Sequence, residues 1–192
     1  DRYNILNLPE YIQDNWGSGE ISHRYSYLAD GTKMSIGDYE NSGYQYAGSL
    51  VYSMDYGTVN SFESASFGGG RIVGTNDGTS SEVHYFLTDH LESVRVVATD
   101  QNNVLERNDY YPFGKRWDSA SLPISDNRDR FNGKEDQVFI GDCLADYGAR
   151  CYNKLNGRWL AQDPKAENFI NSSQYCFCGN NPISRIDVNG VL

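Results

Sequence analysis

Short runs of alternating apolar and polar residues recur along the chain, each bounded by a turn signal. Glu20 to Leu28 alternates and ends in Ala29-Asp30-Gly31, a hairpin turn. Gly43 to Tyr52 alternates again. Phe67 opens into Gly68-Gly69-Gly70, and Arg71-Ile72-Val73 runs on to Asn76-Asp77-Gly78. Val83 to Leu87 and Val94 to Ala98 read as strands. Asp100-Gln101-Asn102-Asn103 turns the chain and Val104 to Tyr111 returns it. One helix start stands out. Asp163 offers an N-cap acid, Pro164 sits at the first helical position and Glu167 follows in the first turns. Asn168 and Asn171-Ser172-Ser173 keep that helix short. The pattern predicts an all-β fold, a curled antiparallel sheet or meander of hairpin units with only short helices.

Composition sharpens this picture. Leu, Ile, Val and Phe make up about a fifth of the chain, close to the level at which a strongly charged sequence stays unfolded. Aromatics compensate. Fifteen Tyr, eight Phe and three Trp supply large rings, each able to bury roughly 150–250 Å². The net charge of −10 argues against tracking phosphate backbones or anionic lipid, so no nucleic-acid partner is expected. No apolar run approaches the ~18 residues a membrane helix needs, and no membrane insertion is expected. The chain opens at Asp1 without a basic-then-apolar leader, so any export signal is expected outside this segment.

The four cysteines, 143, 151, 176 and 178, permit two disulfides in three connectivities. Buried reduced thiols among aromatics are the simpler expectation. Cys176 and Cys178 share a face if 174–178 is a strand. A zinc site is disfavoured by the short Cys176–Cys178 gap and by the scatter of His23, His84 and His90. No metal or cofactor is expected. Gly68-Gly69-Gly70-Arg71 lacks the Lys-Ser/Thr of a phosphate loop and reads as a hairpin loop.

A Tyr-Asp unit repeats loosely. Tyr25 to Gly31 and Tyr85 to His90 each set an aromatic pair just before an Asp, and Asp55-Tyr56-Gly57 and Asp146-Tyr147-Gly148 echo them. Such units bury their faces by stacking on one another. From residue 85 onward six motifs follow in order. They are Tyr85-Phe86-Leu87-Thr88-Asp89-His90-Leu91-Glu92-Ser93-Val94-Arg95, Tyr110-Tyr111-Pro112-Phe113-Gly114, and Phe131-Asn132-Gly133-Lys134-Glu135. Then come Leu144 to Tyr152, Gly157-Arg158-Trp159 through Asp163-Pro164, and Asn180-Asn181-Pro182 through Asp187-Val188-Asn189-Gly190. Together they resemble the RHS repeat-associated core at the C-terminal end of bacterial RHS/YD-repeat proteins. Residues 1–84 resemble, more loosely, the degenerate YD repeats that precede it. The two segments, 1–84 and 85–192, are expected to form one continuous structural unit.

The resemblance implies a segment of an RHS β-shell whose C-terminal part spirals inward as a plug. Its partners would be upstream repeats and a C-terminal effector or toxin segment, in a secreted or cell-surface bacterial protein. It further implies aspartyl-type autoproteolysis. Residue by residue, the matching acids are Asp163 and Asp187, with Arg158 of the Gly-Arg-Trp motif as a supporting group. The cut would follow Leu192, or fall one residue earlier if Val191 is not an insertion. Four departures stand out: Glu92 in place of a Gly, Cys151 in place of a Tyr, Asn153 in place of an Asp, and Val188 in place of a Pro. The Gly is expected to serve a positive φ, which Glu adopts at a cost.

Simpler readings stand beside this one. Asp163 before Pro164 suffices as a helix cap, and Asp187 to Gly190 suffices as a turn. Arg150 and Arg158 can pair with carboxylates or stack on rings. A non-catalytic surface carbohydrate- or protein-binding β-domain is the alternative function, and exposed rather than inward-facing aromatics would favour it.

Overall fold

The computed structural model describes residues 2–14, 21–75, 78–117, 125–138, 143–168 and 170–191. Two compact units result, Asp1–Tyr85 with Thr99–Asn102, and Phe86–Ala98 with Asn103–Leu192.

The first unit is an antiparallel meander whose sheet order follows chain order. Its strands are β1 Arg2–Tyr3, β2 Pro9–Asp14, β3 Ile21–Tyr27, β4 Lys33–Gly37, β5 Gly43–Ala47, β6 Leu50–Asp55, β7 Thr58–Phe67, β8 Gly70–Gly74 and β9 Ser81–Thr88, which runs on into the second unit. The expected all-β fold is what forms. One boundary differs: 43–52 is a hairpin and not a single strand, because Gly48 takes φ +64° and reverses the chain between Ala47 and Leu50.

Register sorts the side chains of this unit between two faces. The pairs Ile12↔His23, Tyr25↔Ile36, Val51↔Ser64 and Arg71↔His84 lie on one face, and all eight residues are buried. The opposite face carries Leu50, Phe62, Phe67, Ile72 and Tyr85, all exposed. Aromatics of the Tyr-Asp units therefore do not all face inward. Tyr25 does, whereas Tyr85 is offset by one residue from buried His84 and points the other way.

Among the described residues one turn recurs six times. At Asn4, Leu28, Asp38, Asp89, Tyr111 and Arg130, the residue's carbonyl accepts the N–H three residues on, and its own N–H donates to the carbonyl four residues on. Where the first residue is Asn4, Asp38 or Asp89, its side-chain oxygen also accepts two N–H groups of the turn at 2.9–3.0 Å. Of the Tyr-Asp units, the one at Tyr85–His90 uses its acid, Asp89, in this way, whereas Asp30 sits third in the turn that starts at Leu28 and accepts the Thr32 N–H. The fourth residue is always left-handed: Asn7, Gly31, Asn41, Glu92, Gly114 and Gly133 have φ between +59° and +89°, with Glu92 at +62°. Only Glu92 among these six is neither Asn nor Gly, so it alone carries the full Cβ penalty, about 1 kcal/mol. Glu92→Gly should therefore raise stability by about 1 kcal/mol, read as a shifted denaturation midpoint with an unchanged slope.

The second unit contains the hairpin β10 Val94–Thr99 and β11 Val104–Arg107, apart from its turn at Thr99–Asn102, and a four-stranded antiparallel sheet in chain order. That sheet comprises β12 Glu135–Asp136, β13 Leu144–Asp146, β14 Cys151–Asn153 and β15 Arg158–Trp159. Its core is aromatic, as the composition requires. Phe131, Tyr147, Tyr152, Trp159 and Phe177 cluster with Ala145 and Cys178. Tyr152 stacks on Phe177 at 4.0 Å, and Tyr147 meets Trp159 edge-on at 5.0 Å.

Beside this core lies a buried ionic chain. Glu106 Oε1 is 3.1 Å from Arg130 Nε, Arg130 Nη1 is 3.4 Å from Asp136 Oδ2, and Asp136 Oδ1 is 2.7 Å from Lys154 Nζ. All four side chains are at most 3% exposed. Ser125 caps the second Glu106 oxygen through its hydroxyl at 2.5 Å and its N–H at 3.1 Å. Burial pushes the Glu106 carboxyl up, but Arg130 and the Ser125 hydrogen bond outweigh it and hold Glu106 below the usual carboxylate range.

The segment 174–178 is not a strand; Cys176 makes a single bridge to Arg158, and Cys178 begins a short 3₁₀ turn with φ +49°. None of the four cysteines is in a disulfide. Burial pushes the Cys178 thiol up to about 12, with Asp187 adding to the effect.

Candidate functional site

Three loops of the second unit deliver the site. The first is the turn before β14, where the Tyr147 N–H donates to the Arg150 carbonyl at 3.1 Å and Asp146 Oδ1 accepts the Gly148 N–H at 2.8 Å. It leaves Arg150 two residues before Tyr152, both of them buried. The second is the cap at Asp163. Its Oδ1 accepts the Lys165 N–H at 2.7 Å and its carbonyl accepts the Ala166 N–H at 3.0 Å, opening a 3₁₀ turn over Ala166–Asn168. The expected helix start is therefore present, but it leads into one 3₁₀ turn. The third is the turn at Asp187, whose Oδ1 accepts the N–H groups of Asn189 at 3.2 Å and Gly190 at 2.7 Å.

These loops converge on Arg150. Its Nη2 lies 2.8 Å from Asp163 Oδ2, an ion-pair contact outside hydrogen-bond geometry, and 3.6 Å from Asp187 Oδ2. Nε donates to the Gly190 carbonyl at 2.6 Å and Nη1 to the Gln174 carbonyl at 3.2 Å. The guanidinium carbon stands 4.1 Å from the Trp159 ring centre. The side chains of Arg150, Asp163 and Asp187 are 1%, 8% and 0% exposed. Burial lowers the Arg150 pKa from its ordinary value, and the two carboxylates oppose that.

Each Asp thus spends one oxygen on a backbone turn and turns the other toward a shared cation. Asp187 Oδ2 is buried and has no hydrogen-bond donor. Gly190 is required where it stands: φ is +76°, and a Cβ would lie 3.0 Å from the Arg150 nitrogen and 3.2 Å from the Tyr147 Cβ. Val188 is 71% exposed, so its side chain has no packing role. The Lys134 ammonium donates to its carbonyl at 2.5 Å and clamps the turn from outside.

Arg158 does not join the two carboxylates. In β15 it is exposed while its neighbour Trp159 is buried, as strand alternation demands, and it lines a separate cavity of about 240 Å³ with Asn156 and Asn180. Leu192, the expected cut position, lies outside the described residues. No group of three or more His, Cys, Asp and Glu able to hold a metal occurs among the described residues. No helix among them is long and apolar enough to cross a membrane.

No family model matches the chain. Salivary gland surface protein 1 of Aedes aegypti is 32% identical over 114 residues, 59% of this chain and 3% of that protein. Solved structures match over 99% of this chain and 10% of their own length. A TcdB2–TccC3 crystal structure has a TM-score of 0.78 at 20% identity, and the same pair without its hypervariable C-terminal region 0.76 at 20%. A Photorhabdus luminescens Tc holotoxin pore with a TccC3 substitution gives 0.78 at 19%. The chain shares its fold with the part of those solved chains that it covers, about a tenth of their length.

Proposed function

We propose that this chain is a closing segment of a secreted or cell-surface RHS-type toxin shell, one that holds a C-terminal effector and releases it by cutting the chain after Leu192. Its partners would be upstream repeats and that effector. The fold supports the shell part of this reading. One observation carries the cutting: Asp163 and Asp187, far apart in sequence, meet at Arg150, whose Nε also holds the Gly190 carbonyl just ahead of the expected cut.

The chemistry follows from the positions. Asp163, nearest the guanidinium, is the carboxylate that takes a proton from a water molecule as its oxygen attacks the carbonyl carbon of residue 192. Asp187 Oδ2, free of other donors, carries the proton delivered to the carbonyl oxygen. Collapse of the resulting diol breaks the C–N bond: the departing amine takes the proton that Asp163 drew from water, a diol hydroxyl returns a proton to Asp187, and a carboxyl group remains on residue 192. Arg150 balances the charge of the ionised Asp163 within one dry site.

The test is a chain carrying a reporter domain directly after Leu192, followed by electrophoresis and mass spectrometry of the fragments. The parent should split after Leu192, and Asp163→Asn and Asp187→Asn should both stay intact while folding normally. An intact parent, or splitting that persists in both variants, would leave the two acids as a cap and a turn.

One observation favours the alternative, a carbohydrate- or protein-binding domain. The face of β6–β9 displays Phe62, Phe67 and Tyr85, with Phe67 and Tyr85 in edge contact at 6.3 Å. That reading predicts binding lost on Phe67→Ala and Tyr85→Ala, with both acids irrelevant.

A further inference from the structure

The cavity of about 240 Å³ in the second unit shares no residue with the Arg150 ion pair. Backbone pairing builds it. Arg158 of β15 faces Cys176 across a single antiparallel bridge, which sends both side chains off the same face, and both line the cavity. Gly157, one residue earlier, lies against Phe113: its φ is +69°, and a Cβ there would stand 2.9 Å from the ring. The Tyr152 hydroxyl holds the Phe113 carbonyl at 3.0 Å. The glycine therefore lets an aromatic ring form one wall, and Leu155 and Cys176 extend the apolar surface.

The polar lining is rich in donors. The Arg158 guanidinium has no ion-pair partner among the described residues. Asn156 Oδ1 accepts the Arg158 N–H at 3.0 Å, which leaves its Nδ2 to donate. Ser173 Oγ accepts the Tyr175 N–H at 3.4 Å, which leaves the hydroxyl proton to donate. Asn180 adds a second carboxamide, and no Asp or Glu stands among the lining residues. An ionised carboxylate only accepts hydrogen bonds, and a guanidinium grips it with two parallel N–H groups, so it matches this set. A single cation balances one negative charge, which suits a carboxylate better than a phosphate dianion. Size sets the rest of the ligand. An apolar cavity of about 150 Å³ admits one benzene ring, so the larger space here holds a ring-sized body with a carboxylate attached.

We propose that this cavity binds a small monocarboxylic acid with an aromatic or branched aliphatic body, free or at the end of a peptide. The carboxylate sits on Arg158 and the body packs on Phe113. This site is independent of the cutting reaction.

NMR titrations of the whole chain with phenylacetate, phenylacetamide, phenyl phosphate and N-acetylglycylphenylalanine test it. Phenylacetate should bind with a Kd of about a millimolar, as expected of so small a ligand, with shifts centred on Phe113, Arg158 and Cys176. Phenylacetamide should bind about fivefold more weakly, a modest margin because the guanidinium is open to solvent. Arg158→Met changes an exposed side chain and should bring acid and amide within about twofold of each other. Tighter binding of the peptide acid would assign the site to a peptide end, and tighter binding of phenylacetate to a free acid. Absence of binding, or shifts confined to other parts of the chain, would overturn the site. Equal affinities for acid and amide in the parent would overturn the carboxylate, as would an acid preference that survives Arg158→Met. Tighter binding of phenyl phosphate than of either carboxylate would do the same.

Discussion

Arg130→Met should be the most damaging single substitution in the second unit, lowering its unfolding free energy by about 3–5 kcal/mol. The guanidinium bridges Glu106 and Asp136, both almost wholly out of solvent. Methionine fills much of the volume but leaves Glu106 with the neutral Ser125 and Asn108 and leaves Asp136 with Lys154 as its one cation. Water cannot reach either acid to replace the lost cation. Because Arg130 holds Glu106 below its ordinary pKa, the parent's stability from this carboxyl is complete above the unfolded-state value. It is lost as pH falls through the depressed folded-state value. The variant should therefore lose most at neutral pH and converge on the parent in acid. Denaturant titrations of both proteins at several pH values would show it, and a constant difference across pH would point to packing.

Arg150→Lys should slow splitting of the reporter-bearing chain about a hundredfold while the chain stays folded. Lysine retains the charge that two buried carboxylates need. It cannot reproduce a planar fork that reaches the Gly190 carbonyl, the Gln174 carbonyl and Asp163 from three different nitrogens. Charge neutralisation would survive and positioning would not. Arg158→Lys should leave the rate at the parental value, because that side chain lies in solvent. Equal losses from both substitutions would argue for a general electrostatic effect.

The strands and turns were largely legible because they are local events. Apolar alternation and turn residues mark most of the hairpins, and the left-handed residue at Glu92 could be anticipated from the glycine that the resemblance places there. The Gly43–Tyr52 hairpin is hidden in the sequence because alternation continues straight through Gly48. At the site, the motifs point to Asp163 and Asp187 with Arg158 as a supporting group, whereas the cation between the two acids is Arg150. A signal for Arg150 was available. It stands two residues before Tyr152, an inward-facing position, whereas Arg158 adjoins a Trp that has to be buried and so must itself point out. The buried chain from Glu106 to Lys154 had no such signal. Its members come from four distant stretches, and only the packing of the second unit brings them together.

Each of the six recurrent turns is closed by two backbone bonds within five residues, and of these six the turn at Arg130 also draws on distant groups, the Ser93 hydroxyl and the Val94 N–H. A hairpin closed by its own backbone bonds carries its own instructions for reversing direction. Strand number is then a quantity that duplication or deletion can change freely. A gene encoding this meander could grow or shrink in steps of one hairpin while the chemistry of the second unit stayed untouched.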